Sequence, residues 1–311
     1  MNRDRPGVAR IALSAAALML YTCLFLVVPP REALPDGWAD GWWTPRKALF
    51  DWIGDGIDRA TARWTGSAPV PAVKRHAANA VYFTLIMTVA PAGVMMLLRR
   101  GRPSDYGTRR PNRQGWRLLI VGYAVALPFL IWMVASPSFI PYYIRDLRAS
   151  PTTFLTSYTV MMFGEHLYLH GVVLALSCPG GRWPEPRLAC PTQPAPPEGR
   201  AGHTPTGRGA LALLRWLGFA QARDGARGWC GVTRWLGLPD GATAALLMST
   251  FLFGLVHWGK DPREFLLSVP GGLASAYLAL RGGSWLVPFL LHLATAGTAC
   301  LLMLSAAPAA G

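Results

Sequence analysis

Five ionisable side chains stand where the surrounding sequence is apolar: Glu165, His166, His170, His257 and His292. Glu165 is the only acidic residue well inside any of the long uncharged stretches, and the four histidines are spread over three of them. An ionisable group in the centre of a bilayer costs at least about 2.5–3.5 kcal/mol on insertion scales, so such groups mark a site and seek polar partners. The nearest partners are one another. The sequence therefore predicts that Glu165, His257 and His292 converge from three helices.

Two chemistries fit these residue types. Glu165-His166-x-x-x-His170 puts two imidazoles four residues apart on one helix face, with Glu165 about 100° round from His166. In the first chemistry Glu165 is a general base that takes a proton from water, while imidazoles from other helices orient that water or stabilise an oxyanion. In the second, His166 and His170, joined by His257 or His292, ligate a metal such as zinc, for which imidazole pairs at this spacing are common donors. Spacing alone leaves both open.

The elements that must position these residues are membrane helices. The 311 residues carry only 15% charged side chains and are 52% hydrophobic, against roughly 25% charged in soluble domains. A span needs about 20 apolar residues. The stretches 11–30, 76–98, 118–144, 149–181, 241–259, 265–280 and 282–311 meet or approach that length, giving about seven helices in an all-α polytopic bundle that forms a single integral membrane domain over 1–311. The run 265–280 holds Pro270, Gly271 and Gly272 and is expected to be broken or to reach only part way.

The net charge of +14 follows the spans and no nucleic-acid motif accompanies it, so nucleic acid is excluded as a partner and the lipid bilayer is the expected one. Arg3, Arg5 and Arg10, and the seven arginines between 99 and 117, place the N-terminus and the second loop in the cytoplasm by the positive-inside rule. The near-neutral 31–75 stretch and the 145–148 loop then lie outside. Five tryptophans between 38 and 64 make 31–75 an interfacial segment. The Pro- and Gly-rich start of the 178–240 insertion reads as irregular cytoplasmic chain. Five cysteines match no zinc-ribbon spacing.

Three segments then share a resemblance. FGEHLYLHGVV (163–173) resembles the first motif, EExxxRG, of the CAAX-processing and bacteriocin-processing (CPBP) intramembrane protease family, also called the Abi family or type II CAAX prenyl endopeptidases. STFLFGLVHW (249–258) is similar to its second motif, FxxxH, through Phe253 and His257. GGSWLVPFLLHLATA (282–296) is similar to its third, HxxxN, through His292. The resemblance covers about 150–300 and departs from the pattern at His166, His170 and Ala296, which stand where the family has glutamate, arginine and a polar residue. Thr295 or Thr298 is the expected replacement donor.

The resemblance implies an intramembrane endopeptidase in which Glu165 activates water, while His257 and His292 hold it and stabilise the intermediate. His166, His170, Phe253 and Thr295 support the site. It favours a site without a cofactor, zinc on His166, His170, His257 or His292 being the alternative. The implied substrate is a membrane-associated protein, with a C-terminal sorting signal or a prenylated tail as the target. Arg outnumbers Lys by 27 to 3, which points to a GC-rich genome and a bacterial inner membrane. Two other classes rest on the same residues: a catalytically silent membrane scaffold, and a His-rich metal-binding or transport protein.

Overall fold

The computed structural model describes residues 38–66, 71–93, 102–136, 139–178, 242–258 and 260–306, with isolated positions between 16 and 22 and at 183, 184 and 238. The expected first span and almost all of the 178–240 insertion lie outside the described residues. All regular structure among them is helical. In chain order these are α1 (Trp38–Thr65), α2 (Pro71–Phe83), α3 (Arg113–Val134), α4 (Phe139–Ala149), α5 (Pro151–Ser177), α6 (Ala242–Val256), α7 (Pro262–Gly282) and α8 (Leu286–Ala306).

Three of them, α3, α5 and most of α8, are long and apolar enough to cross a membrane; α6 is apolar but shorter. Most of α5 is buried, whereas α3 and α8 turn much of their surface outward. Ile120, Val125, Phe129 and Ile131 on α3 are exposed, as expected of a helix that faces lipid. So α5, the helix carrying Glu165, is the centre of the bundle. α2 and α8 pack against it, α6 and α7 pack on each other, and α3 lies along α7 and α8. Lys74 of α2 pairs with Asp58 of α1, tying the charged, tryptophan-bearing α1 to the bundle.

Side-chain caps fix where α3 and α7 meet. Asn112 caps α3 by accepting the Gly115 N–H at 2.8 Å, and its own amide donates to the Arg281 carbonyl at 3.0 Å. A Cβ on Gly115 would lie 2.9 Å from the Gly282 Cα, so the two backbones touch at this crossing. α7 ends at Gly283, whose φ of 70° suits glycine alone among common residues. At the opposite end, Asp261 caps α7 through the Arg263 N–H at 2.9 Å, and the Arg263 guanidinium donates to the Trp132 carbonyl at 2.7 Å. α3 and α7 are thus antiparallel and pinned at both ends.

The fold corrects three expectations. The 118–144 stretch is not one span: α3 ends at Val134 and α4 begins at Phe139, because Pro137 biases the preceding Ser136 away from helical backbone. Residues 145–148 consequently lie inside α4 rather than in a loop. The third correction concerns α7, which is unbroken for 21 residues through Pro270. A proline removes one N–H, and neighbouring helices tolerate that loss inside a bundle. Gly272 has a different use here: a Cβ would meet Phe253 of α6 at 3.0 Å. Gly272→Val should therefore destabilise the protein by about 1–3 kcal/mol through overpacking, measurable as a lower denaturant midpoint in micelles; an unchanged midpoint would deny the close α6–α7 approach.

Candidate active site

α5 brings the first three residues. Its regular turns end at His166 and the hydrogen bonding widens to a π helix over Leu167–Val173, a feature found frequently at functional sites. Glu165, His166 and His170 are all buried. His166 Nδ1 and His170 Nδ1 lie 3.0 Å apart. From α8, His292 Nδ1 comes within 2.9 Å of His166 Nε2. Three imidazoles thus form one hydrogen-bonded chain, His170–His166–His292.

That chain has a direction. A neutral imidazole donates from one nitrogen and accepts at the other. If His170 donates to His166 and His166 to His292, then His292 is left with an Nε2–H. If the order runs the other way, His292 Nε2 is left as a lone pair. The cluster can present either a donor or an acceptor at its α8 end without acquiring net charge.

Glu165 completes it. A carboxylate oxygen of Glu165 and one ring nitrogen each of His166 and His292 all lie within 4.8 Å of one another. Glu165 Oε1 is buried and has no hydrogen-bond partner among the described residues. Buried polar atoms are nearly always partnered, so this oxygen faces a place for water or substrate. A carboxylate and two imidazoles are also one of the donor sets found at catalytic zinc sites.

His257 reaches the site through Phe253. The Phe253 ring stacks on His257 with centroids 4.5 Å apart and lies 5.6 Å from His170, 6.4 Å from His166 and 6.5 Å from His292. Phe253 is buried and is the apolar spacer around which all four imidazoles are arranged. His257 is outside the Glu165–His166–His292 group. Its Nδ1 lies 2.8 Å from the Phe253 carbonyl, and its Nε2 is 4.0 Å from Glu264 Oε1.

Glu264 is a site residue that sequence reading passed over, and it qualifies the reading of Glu165 as the lone acid. It sits in the first turn of α7, beside Asp261 and Arg263, and so looks like an ordinary loop-end charge. In the fold its side chain is only 11% exposed. Lys260 Nζ donates to Oε1 at 2.8 Å, and the Tyr143 hydroxyl of α4 donates to Oε2 at 2.8 Å. Burial alone would pull the Lys260 ammonium down, but the Glu264 carboxylate that it bonds outweighs this and holds Lys260 above its ordinary range. Lys260 is therefore a fixed positive charge beside the site.

A cavity of about 460 Å³ runs past these groups, with His257, Glu264, His292, Tyr143 and Tyr158 on its wall among mostly apolar residues. Glu165 is not on that wall, and His292, which is, belongs with it to the Glu165–His166–His292 group. Ala296 is on the wall too. Of the expected replacement donors beside it, Thr295 is also on the wall but its hydroxyl donates to the carbonyls of Leu291 and His292 at 3.1 and 2.9 Å, while the Thr298 hydroxyl donates to the Ala294 carbonyl at 3.0 Å and lies 2.7 Å from the Tyr123 hydroxyl. In a helix a threonine hydroxyl readily bonds back to the preceding turn, and here that bond competes with any role in the cavity.

Residues 208–298 match the family model described as type II CAAX prenyl endopeptidase Rce1-like. The matched stretch contains His257 and His292, while Glu165, His166 and His170 lie ahead of it. No curated protein and no solved structure matches the chain significantly. Over residues 208–298, under a third of the chain, the protein is similar to the type II CAAX prenyl endopeptidases, and its long apolar helices are those of an integral membrane protein.

Proposed function

We propose that the chain is an intramembrane endopeptidase of the glutamate type, cleaving a peptide bond in the C-terminal tail of a membrane-associated protein. The observation that carries the reading is the buried Oε1 of Glu165, without a hydrogen-bond partner among the described residues, in one group with His166 and with His292, which lines the cavity. A water at that oxygen gives one proton to Glu165 as its own oxygen bonds to the scissile carbonyl carbon. The carbonyl oxygen becomes an oxyanion that an imidazole N–H takes up. The C–N bond then breaks as Glu165 returns the proton to the departing nitrogen, so no proton is gained or lost by the enzyme.

The direct 2.9 Å contact between His166 Nε2 and His292 Nδ1 supports the metal-free form, because it commits one lone pair to a proton. A second reading rests on the same donor set: Glu165, His166 and His292 fit a zinc ion, which when bound supplies a Lewis acid for the carbonyl or water.

The test uses purified protein in phospholipid vesicles and an internally quenched peptide ending in a farnesylated Cys-aliphatic-aliphatic-X tail, alongside an unprenylated peptide with an apolar tail. Cleavage of either at one position supports the endopeptidase. Cleavage of neither, with the fold intact, overturns it in favour of a silent scaffold. Metal analysis of the same preparation separates the two forms: activity with far less than one zinc per chain supports the glutamate type, and activity that tracks zinc content supports the other.

A further inference from the structure

A glycine inside a helix is unfavourable relative to alanine, so it stands there for a reason of backbone or of space. The adjacent glycines of α7 have different reasons. Gly272 gives way to Phe253, which a Cβ would meet at 3.0 Å. At Gly271 a Cβ would meet nothing within 4 Å, and Gly271 is not among the glycines with positive φ. It therefore serves neither a turn nor a close helix contact. What it does is line the cavity, on the α7 face that also carries Leu267, Ala274 and Leu278.

The space over Gly271 is continuous with the candidate active site. Phe253, packed on the next residue of α7, lines the same cavity, and so does His292 of the Glu165–His166–His292 group. The cavity is long and thin. Leu291 and Met303 of α8 both line it, so it runs about 18 Å along that helix at 1.5 Å per residue. A helical ligand about 10 Å across would need on the order of 1,400 Å³ over that length, several times the 460 Å³ present. An extended chain fits instead, about five residues long at a strand rise of about 3.3 Å. The walls beside it are mostly apolar, so side chains seated there are apolar too, and a large one fills the gap where α7 has none.

We infer that Gly271 is a specificity-determining residue of the proposed protease: the space it leaves takes one large apolar side chain of a substrate segment lying extended along α7. The inference rests on the endopeptidase reading and adds to it a residue outside the three motif-like segments.

The experiment measures kcat/KM for the wild type, Gly271→Ala and Gly271→Leu on unprenylated quenched peptides in phospholipid vesicles. Each residue within three of the cleaved bond is in turn Ala, Leu or Phe, and the farnesylated peptide is run alongside. At one position the wild type should prefer Leu or Phe to Ala at least 10-fold, the scale on which an apolar pocket discriminates by size. Gly271→Leu should lose about 10- to 100-fold on that bulky peptide while cleaving its Ala counterpart within threefold of the wild type, and Gly271→Ala should fall between. Neither variant should lower the denaturation midpoint in micelles, in contrast to Gly272→Val, and Gly271→Ala, which adds one carbon into open space, carries the same comparison by itself.

An equal loss on every peptide, or an unchanged order of preference, while cleavage still depends on Glu165, would overturn the inference alone. A loss confined to the farnesylated peptide would assign the space to a lipid chain and overturn it likewise. Cleavage of no peptide by the wild type, or cleavage that does not depend on Glu165, would overturn the endopeptidase reading and this inference with it.

Discussion

Glu165→Gln is expected to lower kcat by about 10³-fold, within the range that a positioned general base contributes, while leaving the protein folded. The carboxamide has the volume of the carboxylate, so the packing of α5 against α2 and α8 is unaffected. It cannot accept a proton from water. Because Oε1 has no hydrogen-bond partner among the described residues, the substitution breaks no internal bond at that atom, and a loss of activity is then chemical rather than structural. Vesicle assays with circular dichroism on the same sample check both halves. Retained turnover contradicts the assignment, and a cellular function that survives the substitution favours the scaffold.

His292→Ala should be nearly as damaging, for a different reason. Removing the ring takes away the end of the imidazole chain that meets the cavity and leaves His166 Nε2 buried without its 2.9 Å partner. Losing one oxyanion donor reduces kcat by about 10²–10³-fold in well-studied enzymes. The orphaned nitrogen adds about 1–3 kcal/mol of destabilisation, visible as a lower denaturation midpoint. His170→Ala removes the far end of the same chain and leaves the His166–His292 contact in place, so its effect on kcat should be smaller. Equal losses from His170→Ala and His292→Ala would contradict a chain whose working end is on α8.

These residues were legible because lipid makes ionisable groups rare. Glu165 and the histidines stood out against uninterrupted apolar runs, and the structure sets Glu165, His166, His170 and His292 side by side. His257 shares the cavity wall with His292 but stands apart from the Glu165–His166–His292 group. It reaches the others only across the Phe253 ring, and its nearest charged partner is Glu264. Reading depth from residue counts puts His257 and His292 about 12 Å apart along the bilayer normal at 1.5 Å per residue, and that arithmetic has no access to helix crossing. Phe253, a bulky ring among four imidazoles, is how the fold spans the separation.

What stayed hidden had physical reasons too. Glu264 and Lys260 sit at the α6–α7 connection, where charge is ordinary, and only the fold brings the Tyr143 hydroxyl of α4 to the enclosed Glu264 carboxylate. The π segment after His166 depends on a hydrogen-bond register that no residue pattern announces. Pro270-Gly271-Gly272 reads as a break by propensity, yet the helix persists, because Gly272 serves a close contact with Phe253 rather than a turn. Thr295 stands on the cavity wall, and sequence position alone does not reveal that its hydroxyl returns to its own helix.

The central claim is that α5 and α8 hold their ionisable side chains in one hydrogen-bonded group. The most direct test is a through-space nitrogen–nitrogen correlation between the rings of His166 and His292, by solid-state NMR on ring-labelled protein in bilayers, assigned with single-histidine variants. The structure predicts a correlation consistent with 2.9 Å, lost in His292→Ala and kept in His257→Ala. Rings that show no correlation, at a separation beyond about two hydrogen-bond lengths or roughly 6 Å, would contradict the account.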